Sequence, residues 1–315
     1  MERRKVICVV GPTACGKTTL GVLLAQKYGG EVVSADSMQI YRGMTIGTAA
    51  PTEAEMQGVP HHMIAVADPA EQWSAAEYVQ RATPVVDDIL ARGRLPVIVG
   101  GTGLWMDTLL RGHGFAKGSA GGAVRRELET RFEQEGIEPL LAELRQVDPD
   151  SAVRLHPADT KRILRALEVY RETGQTITAH NAATQAMPDR YSAVKIGLRF
   201  ADREDMKVLI DRRVDKMAAE GLLTEVRALL DRGLPKNATA MQAIGYKEFL
   251  GVLDGTLTEP EALELVKLRS RQYAKRQLTW LRRDQDIHWI EWGKQRDFAR
   301  ALQISTEILA ASGLG

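Results

Sequence analysis

Cysteine is scarce in this sequence of 315 residues, which holds only Cys8 and Cys15. Cys8 lies in an apolar run and Cys15 in a glycine-rich loop, so we expect no disulfide framework and predict the reducing cytoplasm as the compartment. No cysteine–histidine cluster with the spacing of a zinc site is present. His61 and His62 would point to opposite faces of a strand, so they cannot chelate one ion together and are interpreted as structural.

Long apolar runs and an excess of charge are also missing. No stretch approaches the roughly 20 apolar residues that a membrane-spanning helix needs, so no membrane crossing is predicted. The run Val6–Val10 follows a basic start but is too short for the apolar part of a signal peptide. Because the formal net charge is only +1, any binding of nucleic acid must come from local basic patches.

The pattern that is present predicts an α/β fold. In the first third, strands are predicted at 6–10, 31–34, 61–66 and 96–99, the first and last of them as continuous apolar runs. They alternate with helical patterns, which is typical of a parallel sheet covered by helices. From 123 to 190 the pattern is helical throughout, and strands are predicted again at 193–200 and 288–292. We therefore predict a P-loop parallel-sheet core formed by 1–115 and 193–315, with a mostly helical insertion at 116–192 and a glycine-rich hinge at 112–122.

A phosphate-binding loop follows the first strand. The pattern G-x-x-x-x-G-K-[ST] is met between a strand and a helix by Gly11, Pro12, Thr13, Ala14, Cys15, Gly16, Lys17 and Thr18. The glycines let backbone amides face phosphate oxygens, and the helix N-terminus adds a positive field. Lys17 supplies a mobile charge, and the Thr18 hydroxyl is the predicted ligand for Mg²⁺.

The strand at 96–99 ends without a carboxylate. Hydrolysing NTPases usually carry an acidic residue at such a position, but here Gly100, Gly101, Thr102 and Gly103 follow. This weakens the NTPase interpretation and is compatible with pyrophosphate bound as a leaving group. Thr102 is then a candidate extra donor to that group.

Asp36 lies just past the second strand, at the edge of the sheet where ligands bind in such folds. Its carboxylate could accept a proton from an amine or hydroxyl nucleophile, or it could merely cap a turn or order waters around Mg²⁺. The residues alone leave both possibilities open. Gln39 could read an adenine edge through its amide.

Two groups of basic residues suggest an RNA partner. The segment 267–283 holds Lys267, Arg269, Arg271, Lys275, Arg276, Arg282 and Arg283 with no acidic residue. Tyr273 and Trp280 lie between them, which suits a helix face on a phosphate backbone, although the charges could instead pair with other elements. The second group lies in the insertion and comprises Arg154, His156, Lys161, Arg162 and Arg165.

These residues and their neighbours resemble one family. The segments GPTACGKT, SADSMQIYRGMTIGTA, GVPHH, VGGTGLW, LHPADTKRILRALEVY, AIGYKEF and RQYAKRQLTWLRR occur in the order seen in bacterial tRNA dimethylallyltransferases, also called isopentenyl-diphosphate:tRNA transferases. The resemblance runs from about Val6 to Trp292. It implies transfer of a dimethylallyl group from dimethylallyl pyrophosphate to the exocyclic amine of the adenine 3′ of the anticodon in tRNA.

The resemblance also implies roles for particular residues. Asp36 would be the general base, Thr102 would touch the substrates, and Arg213 would bind pyrophosphate together with the phosphate loop and Mg²⁺. The insertion would grip the anticodon stem, and the protein would act as a cytoplasmic monomer. The implied tRNA contacts are Asp36, Ser37, Met38, Gln39, Thr102, Arg125, Lys161, Arg162, Ile163, Leu164, Arg165, Gln242, Gly245, Tyr246 and Lys247.

Two departures and three alternatives accompany this interpretation. Cys15 stands where the family has serine, and its thiol could be oxidisable. Leu209 replaces a frequent basic residue one turn before Arg213, so some charge on the pyrophosphate side is expected to be missing. The alternatives are a prenyltransferase of free adenine nucleotides, a small-molecule kinase using ATP, and a nucleotide-gated RNA-binding protein without catalysis.

Overall fold

The computed structural model describes residues 4–112 and 122–314. They form two compact units, one made of 4–112 with 190–314 and the other of 122–189. Most of the predicted hinge, and the predicted boundary after residue 115, lie outside the described residues. Among the residues described, no helix combines the length and apolar content needed to cross a bilayer.

The larger unit is built on a six-stranded parallel sheet in the order β3-β2-β4-β1-β5-β6. The strands are β1 Arg4–Val10, β2 Glu31–Ser34, β3 His61–His62, β4 Pro96–Gly100, β5 Tyr191–Phe200 and β6 Ile287–Trp292. The predicted α/β class with a parallel sheet is therefore confirmed.

Both faces of this sheet are covered, which explains why its central strands are continuous apolar runs. Along β1, Val6, Cys8 and Val10 belong to one apolar cluster, whereas Ile7 and Val9 belong to another. Because successive side chains of a strand point to opposite faces, the two clusters are the cores above and below the sheet.

The helices of the described chain are α1 Lys17–Tyr28, α2 Glu53–Met56, α3 Ala75–Ala91, α4 Gly103–Arg111, α5 Ala123–Glu135, α6 Glu138–Val147, α7 Pro149–Arg154, α8 Thr160–Thr173, α9 Ile177–Gln185, α10 Arg203–Ala219, α11 Leu222–Asp231, α12 Tyr246–Leu253, α13 Glu259–Leu281 and α14 Phe298–Ala311. The smaller unit contains α5 to α9 and has its own leucine-rich core. Thr258 and Glu261 form a capping box at the start of α13.

Two predicted elements differ from the structure. The strand expected at 61–66 ends at His62, because Met63 and Ala65 adopt left-handed backbone conformations with φ of 61° and 51°. The segment 239–253, whose apolar spacing predicts one continuous helix, is broken into a short 3-10 turn at Ala240–Gln242 and α12. Gly245, with φ of 100°, separates the two pieces.

Candidate active site

The phosphate loop joins the end of β1 to the start of α1. Gly11 and Gly16 have φ of 153° and 92°, and a β-carbon on Gly11 would come within 2.5 Å of the Leu198 carbonyl oxygen. Glycine is therefore required at both turns. No side chain caps the first turn of α1, so its amides remain available to an anion. The Lys17 ammonium donates to the Pro12 carbonyl at 2.7 Å.

Residues distant in sequence hold this loop in place. The buried Gln277 of α13 accepts from the Thr13 amide at 2.9 Å and donates to the Gly101 carbonyl at 3.0 Å. The Trp292 indole donates to the Cys15 carbonyl at 2.8 Å. The role of Gln277 is not visible in the sequence, because this residue lies inside the basic segment 267–283 and carries no local signal of a long-range bond.

A cavity of about 540 Å³ opens over the phosphate loop. Its basic lining residues are Lys17, Arg212, Arg213, Lys216 and Arg296, with Glu55 and Glu220 as the acidic ones. Leu209 also lines this cavity and brings no charge, as expected. Four basic side chains besides Lys17 nevertheless line the cavity. Arg296 was not foreseen, and it donates to the Ala14 carbonyl at 3.4 Å. The cavity suits a diphosphate.

A second cavity, of about 300 Å³, contains Asp36. Its apolar lining residues include Met38, Ile210, Val214, Met217, Ile244 and Val266, and its polar ones include Thr13, Ser37, Thr48, Gln242, Tyr273 and Arg276. Arg213 and Met217 line both cavities. The two cavities are therefore adjacent, with a guanidinium between them.

Asp36 caps a turn, and its carboxylate also faces a cavity. Its Oδ1 accepts from the Met38 amide at 2.9 Å and from the Gln39 amide at 3.4 Å, which is the turn-capping role. The carboxylate also lines the second cavity. Burial, and secondly the negative charge of Asp36, raise the pKa of the Tyr273 hydroxyl to about 12.

Thr102 and Arg213 lie close to this carboxylate. The Thr102 hydroxyl accepts from the Ser37 amide at 3.3 Å, beside the start of α4. Arg213 donates through Nη2 to the Thr48 carbonyl at 3.2 Å. Burial lowers the pKa of its guanidinium and Asp36 opposes this, but an arginine stays charged at neutral pH. Asp36, the predicted base, and Arg213, the predicted anion-binding arginine, thus line the same cavity.

Several residues predicted to contact tRNA have side chains that are engaged inside the fold. The Gln39 amide accepts from Ser34 and donates to the carbonyls of Thr48 and Ala49, so reading an adenine edge would require exchanging these bonds. Tyr246 is fully buried, and its hydroxyl donates to Glu225. The amide of the buried Gly245 donates to Glu248. Gln242 and Lys247 are exposed.

In the smaller unit the predicted tRNA contacts also divide into buried and exposed residues. Ile163 and Leu164 belong to its apolar core, which rules out contact through their side chains. Arg125 pairs with Glu129 at 2.7 Å, and Arg165 with the buried Glu168 at 2.9 Å. Lys161 and Arg162 are exposed in the first turn of α8.

The basic segment 267–283 is not one free surface. Three of its residues pair with carboxylates of neighbouring helices: Lys267 with Asp215, Arg269 with Glu248 and Arg271 with Asp211. The other four, Lys275, Arg276, Arg282 and Arg283, are exposed and make no ion pair with the described residues. The Trp280 ring is engaged within the fold: it packs against Gly103, the Arg283 guanidinium lies over it at 5.4 Å, and its indole donates to Asp107 at 3.0 Å.

Cys15 and the histidine pair have structural roles. Cys15 is fully buried and burial raises the pKa of its thiol, so the expected susceptibility to oxidation is corrected. His62 pairs with Glu31 at 2.7 Å, and His61 bonds to the Val59 carbonyl. Within 4–112 and 122–314, no three histidine, cysteine, aspartate or glutamate side chains form a cluster that could hold a metal ion.

The parallel sheet, the strand–loop–helix phosphate site and the adjoining cavity with its carboxylate define a P-loop protein with a second binding cavity beside its phosphate site. The family model of IPP transferases matches residues 39–284. The tRNA dimethylallyltransferase of Geobacillus thermodenitrificans is 45% identical over 295 residues, 94% of this chain and 93% of that protein. That of Pelotomaculum thermopropionicum is 42% identical over 310 residues, covering 98% of this chain and 96% of the relative.

Solved structures agree. The tRNA isopentenylpyrophosphate transferase of Bacillus halodurans superimposes with a TM-score of 0.73 at 40% identity, covering 98% of this chain and 96% of its own. A eukaryotic dimethylallyltransferase acting on tRNA gives a TM-score of 0.84 at 30% identity, over 98% of this chain and 80% of that one. This chain belongs to the IPP transferase family.

Proposed function

We propose that this protein transfers a dimethylallyl group from dimethylallyl pyrophosphate to the exocyclic amine of the adenine 3′ of the anticodon in tRNA, releasing pyrophosphate. The relatives named above support the activity. The observation that carries the chemistry is the pair of adjoining cavities, one over the phosphate loop and one holding Asp36, with Arg213 lining both.

The phosphate cavity would hold the leaving group. Loop amides, Lys17 and Arg213 stabilise the negative charge that grows on pyrophosphate as its bond to the allylic carbon breaks. Thr18 lines this cavity, and its hydroxyl oxygen is a hard donor of the kind Mg²⁺ prefers. Since Mg²⁺ is commonly held by few protein ligands together with substrate phosphates, Thr18 would hold it, and the ion would neutralise phosphate charge.

The second cavity would hold the reacting groups. Its apolar side chains, including Ile210, Val214 and Met217, suit a branched five-carbon tail and keep water from the allylic carbon. The amine nitrogen of the adenine attacks that carbon as the carbon–oxygen bond breaks. Asp36 accepts the proton that the nitrogen loses, so the product is a neutral secondary amine.

The exposed cations would bind the RNA. Lys275, Arg282 and Arg283 on the larger unit, and Lys161 on the smaller one, are exposed and would contact phosphates. Arg162 is also exposed, but it would have to exchange its ion pair with Asp159 at 3.4 Å for a phosphate. The helical unit at 122–189 would grip the anticodon stem, and the adenine would be flipped out of its stack to reach Asp36. The monomer is carried over from the family resemblance, and a tRNA substrate favours the cytoplasm.

The decisive experiment incubates the purified protein with labelled dimethylallyl pyrophosphate and an unmodified anticodon stem-loop, with AMP as a competing acceptor. Mass spectrometry of the digested RNA should show one prenylated adenosine. Prenylated AMP with untouched RNA would instead indicate a nucleotide prenyltransferase. A phosphorylated product formed from ATP would indicate a kinase.

A further inference from the structure

Glu225 of α11 is the acceptor for an unusual number of donors from one loop. Its Oε2 accepts from the amide and hydroxyl of Thr45 at 2.8 and 2.9 Å and from the Ile46 amide at 2.9 Å. Its Oε1 accepts from the Gly47 amide at 3.0 Å and from the Tyr246 hydroxyl. Three consecutive amides therefore converge on a single carboxylate, as they do on bound anions elsewhere.

The loop held in this way lines both cavities. Thr45, Ile46 and Ala49 line the phosphate cavity, and Gly47 and Thr48 line the cavity that contains Asp36. Glu225 itself lines neither cavity. Its carboxylate thus acts on the cavities only through the backbone of the loop.

The loop in turn holds the arginine that lies between the cavities. The Thr48 carbonyl accepts from Arg213 Nη2 at 3.2 Å, one residue after the last amide bound by Glu225. A hydrogen-bonded path therefore runs from Glu225 through the loop to the guanidinium. Without the carboxylate, three adjacent amides would lose their acceptor, and the Thr48 carbonyl that Arg213 contacts would be held less firmly, by the Gln39 amide at 3.4 Å and by packing.

Packing leaves the loop little freedom to find another position. A β-carbon on Gly47 would lie 2.4 Å from the ring of Tyr246, so the backbone there rests directly on this buried ring. Burial, followed by the negative charge of Glu225, raises the pKa of the Tyr246 hydroxyl, which therefore stays protonated and donates. The Tyr246 ring and the Glu225 carboxylate together hold the loop in position.

We infer that Glu225 is a positioning residue for binding of the diphosphate: it fixes the loop 45–49 so that the Thr48 carbonyl orients Arg213. This rests on the proposed function only in taking a diphosphate as the anion. Glu225 acts through Arg213, so its removal should matter only while Arg213 is present.

The test is a double-mutant cycle on the full chain, with inorganic pyrophosphate as the calorimetric probe. Glu225→Gln keeps the size of the side chain but turns an NH₂ group toward amide donors, and we expect about tenfold weaker binding. Arg213→Ala should weaken binding at least as much. In the Arg213→Ala background, Glu225→Gln should add no further loss, whereas additive losses would overturn the inference.

Two further variants separate positioning from general damage. Asp231→Asn removes a carboxylate from an exposed position at the end of the same helix and should leave binding unchanged. Tyr246→Phe removes one hydrogen bond and keeps the ring, so it should weaken binding less than Glu225→Gln. If Glu225→Gln fails to fold, Tyr246→Phe still tests whether the hydrogen bonds of the Glu225 carboxylate affect binding of pyrophosphate. Unchanged binding in Tyr246→Phe and in Glu225→Gln would refute the idea. If the double-mutant cycle shows the predicted coupling but the wild-type protein prenylates no RNA, the proposed function alone would be wrong.

Discussion

Replacing Asp36 by asparagine separates its two roles. Oδ1 of Asp36 accepts from the amides of Met38 and Gln39, and the side-chain oxygen of asparagine can accept the same two bonds. The turn should therefore persist in Asp36→Asn. An amide cannot accept a proton from the adenine amine at neutral pH, so only the proposed base is lost.

The expected loss follows from that difference. A positioned general base contributes ~10²–10⁴-fold to rate, which corresponds to ~3–5 kcal/mol of activation free energy. Asp36→Ala would lose the two turn hydrogen bonds as well, at roughly 1 kcal/mol of stability each. Asp36→Asn should thus unfold like wild type, while Asp36→Ala should be less stable and equally slow.

The assay is a single-turnover measurement of prenyl transfer with enzyme in excess over the labelled stem-loop, together with separate binding of RNA and pyrophosphate. Asp68→Asn is the matched control, because exposed Asp68 caps a turn in the same way, accepting from the Ala70 amide at 2.9 Å. A transfer rate for Asp36→Asn within threefold or so of the control would refute the assignment of Asp36 as the base.

Three other predictions concern stability, reactivity and RNA binding. Hydrogen bonding to Arg92 lowers the pKa of Glu31 to about 2 from an ordinary value of 4.5, so its charge stabilises the fold at higher pH and this contribution, ~3 kcal/mol at most, is lost as pH falls through that window. The urea midpoint of wild type should fall more steeply between pH 5 and pH 2, roughly the span of those values, than that of Glu31→Gln, and parallel curves would contradict this. Because the Cys15 thiol is buried with a raised pKa, iodoacetamide should label it only after unfolding; rapid labelling of the native protein would show that the loop opens. Lys275→Ala should reduce the slope of log affinity for the stem-loop against log salt by about 1, whereas Arg271→Ala, which removes an ion pair with a neighbouring helix, should cost ~0.5 kcal/mol of stability and leave the slope unchanged.

The sheet could be predicted from sequence because its central strands carry local signals. β1 and β4 contain continuous apolar runs, and the short β2 has two central valines; all three are buried and each is followed by a glycine or a polar turn. The segment 239–253 was harder, because its apolar spacing favours one helix. The helix is interrupted because Gly245 has a positive φ and because Tyr246 packs against the loop at 45–47. Neither feature is visible in local periodicity.

The phosphate loop and Asp36 were likewise predictable, since their spacing from the ends of β1 and β2 is short. Gln277, Glu225 and Arg296 were not, because each reaches its partner across more than 170 residues of chain. The composition of the basic segment 267–283 is visible in the sequence. The ion pairs of Lys267 and Arg271 with α10 are not, because they depend on how the helices pack.

Close packing accompanies the lack of a carboxylate at the end of β4. A β-carbon on Gly100 would lie 2.3 Å from the Ala35 carbonyl oxygen, and one on Gly101 would lie 2.2 Å from the Gln277 amide nitrogen and would displace that amide. Hydrolysing NTPases usually carry an acid at such a position. Instead Gln277 joins the Thr13 amide to the Gly101 carbonyl, and the next residue, Thr102, accepts from Ser37. The ends of three strands are thereby linked into one hydrogen-bonded unit.

Among the described residues lining the second cavity, Asp36 is the single carboxylate. The proton acceptor proposed above would therefore lie in the cavity proposed for the nucleophile, and not in the one proposed for the diphosphate. That division suits transfer of a group from a diphosphate to an amine better than attack by water on a phosphate.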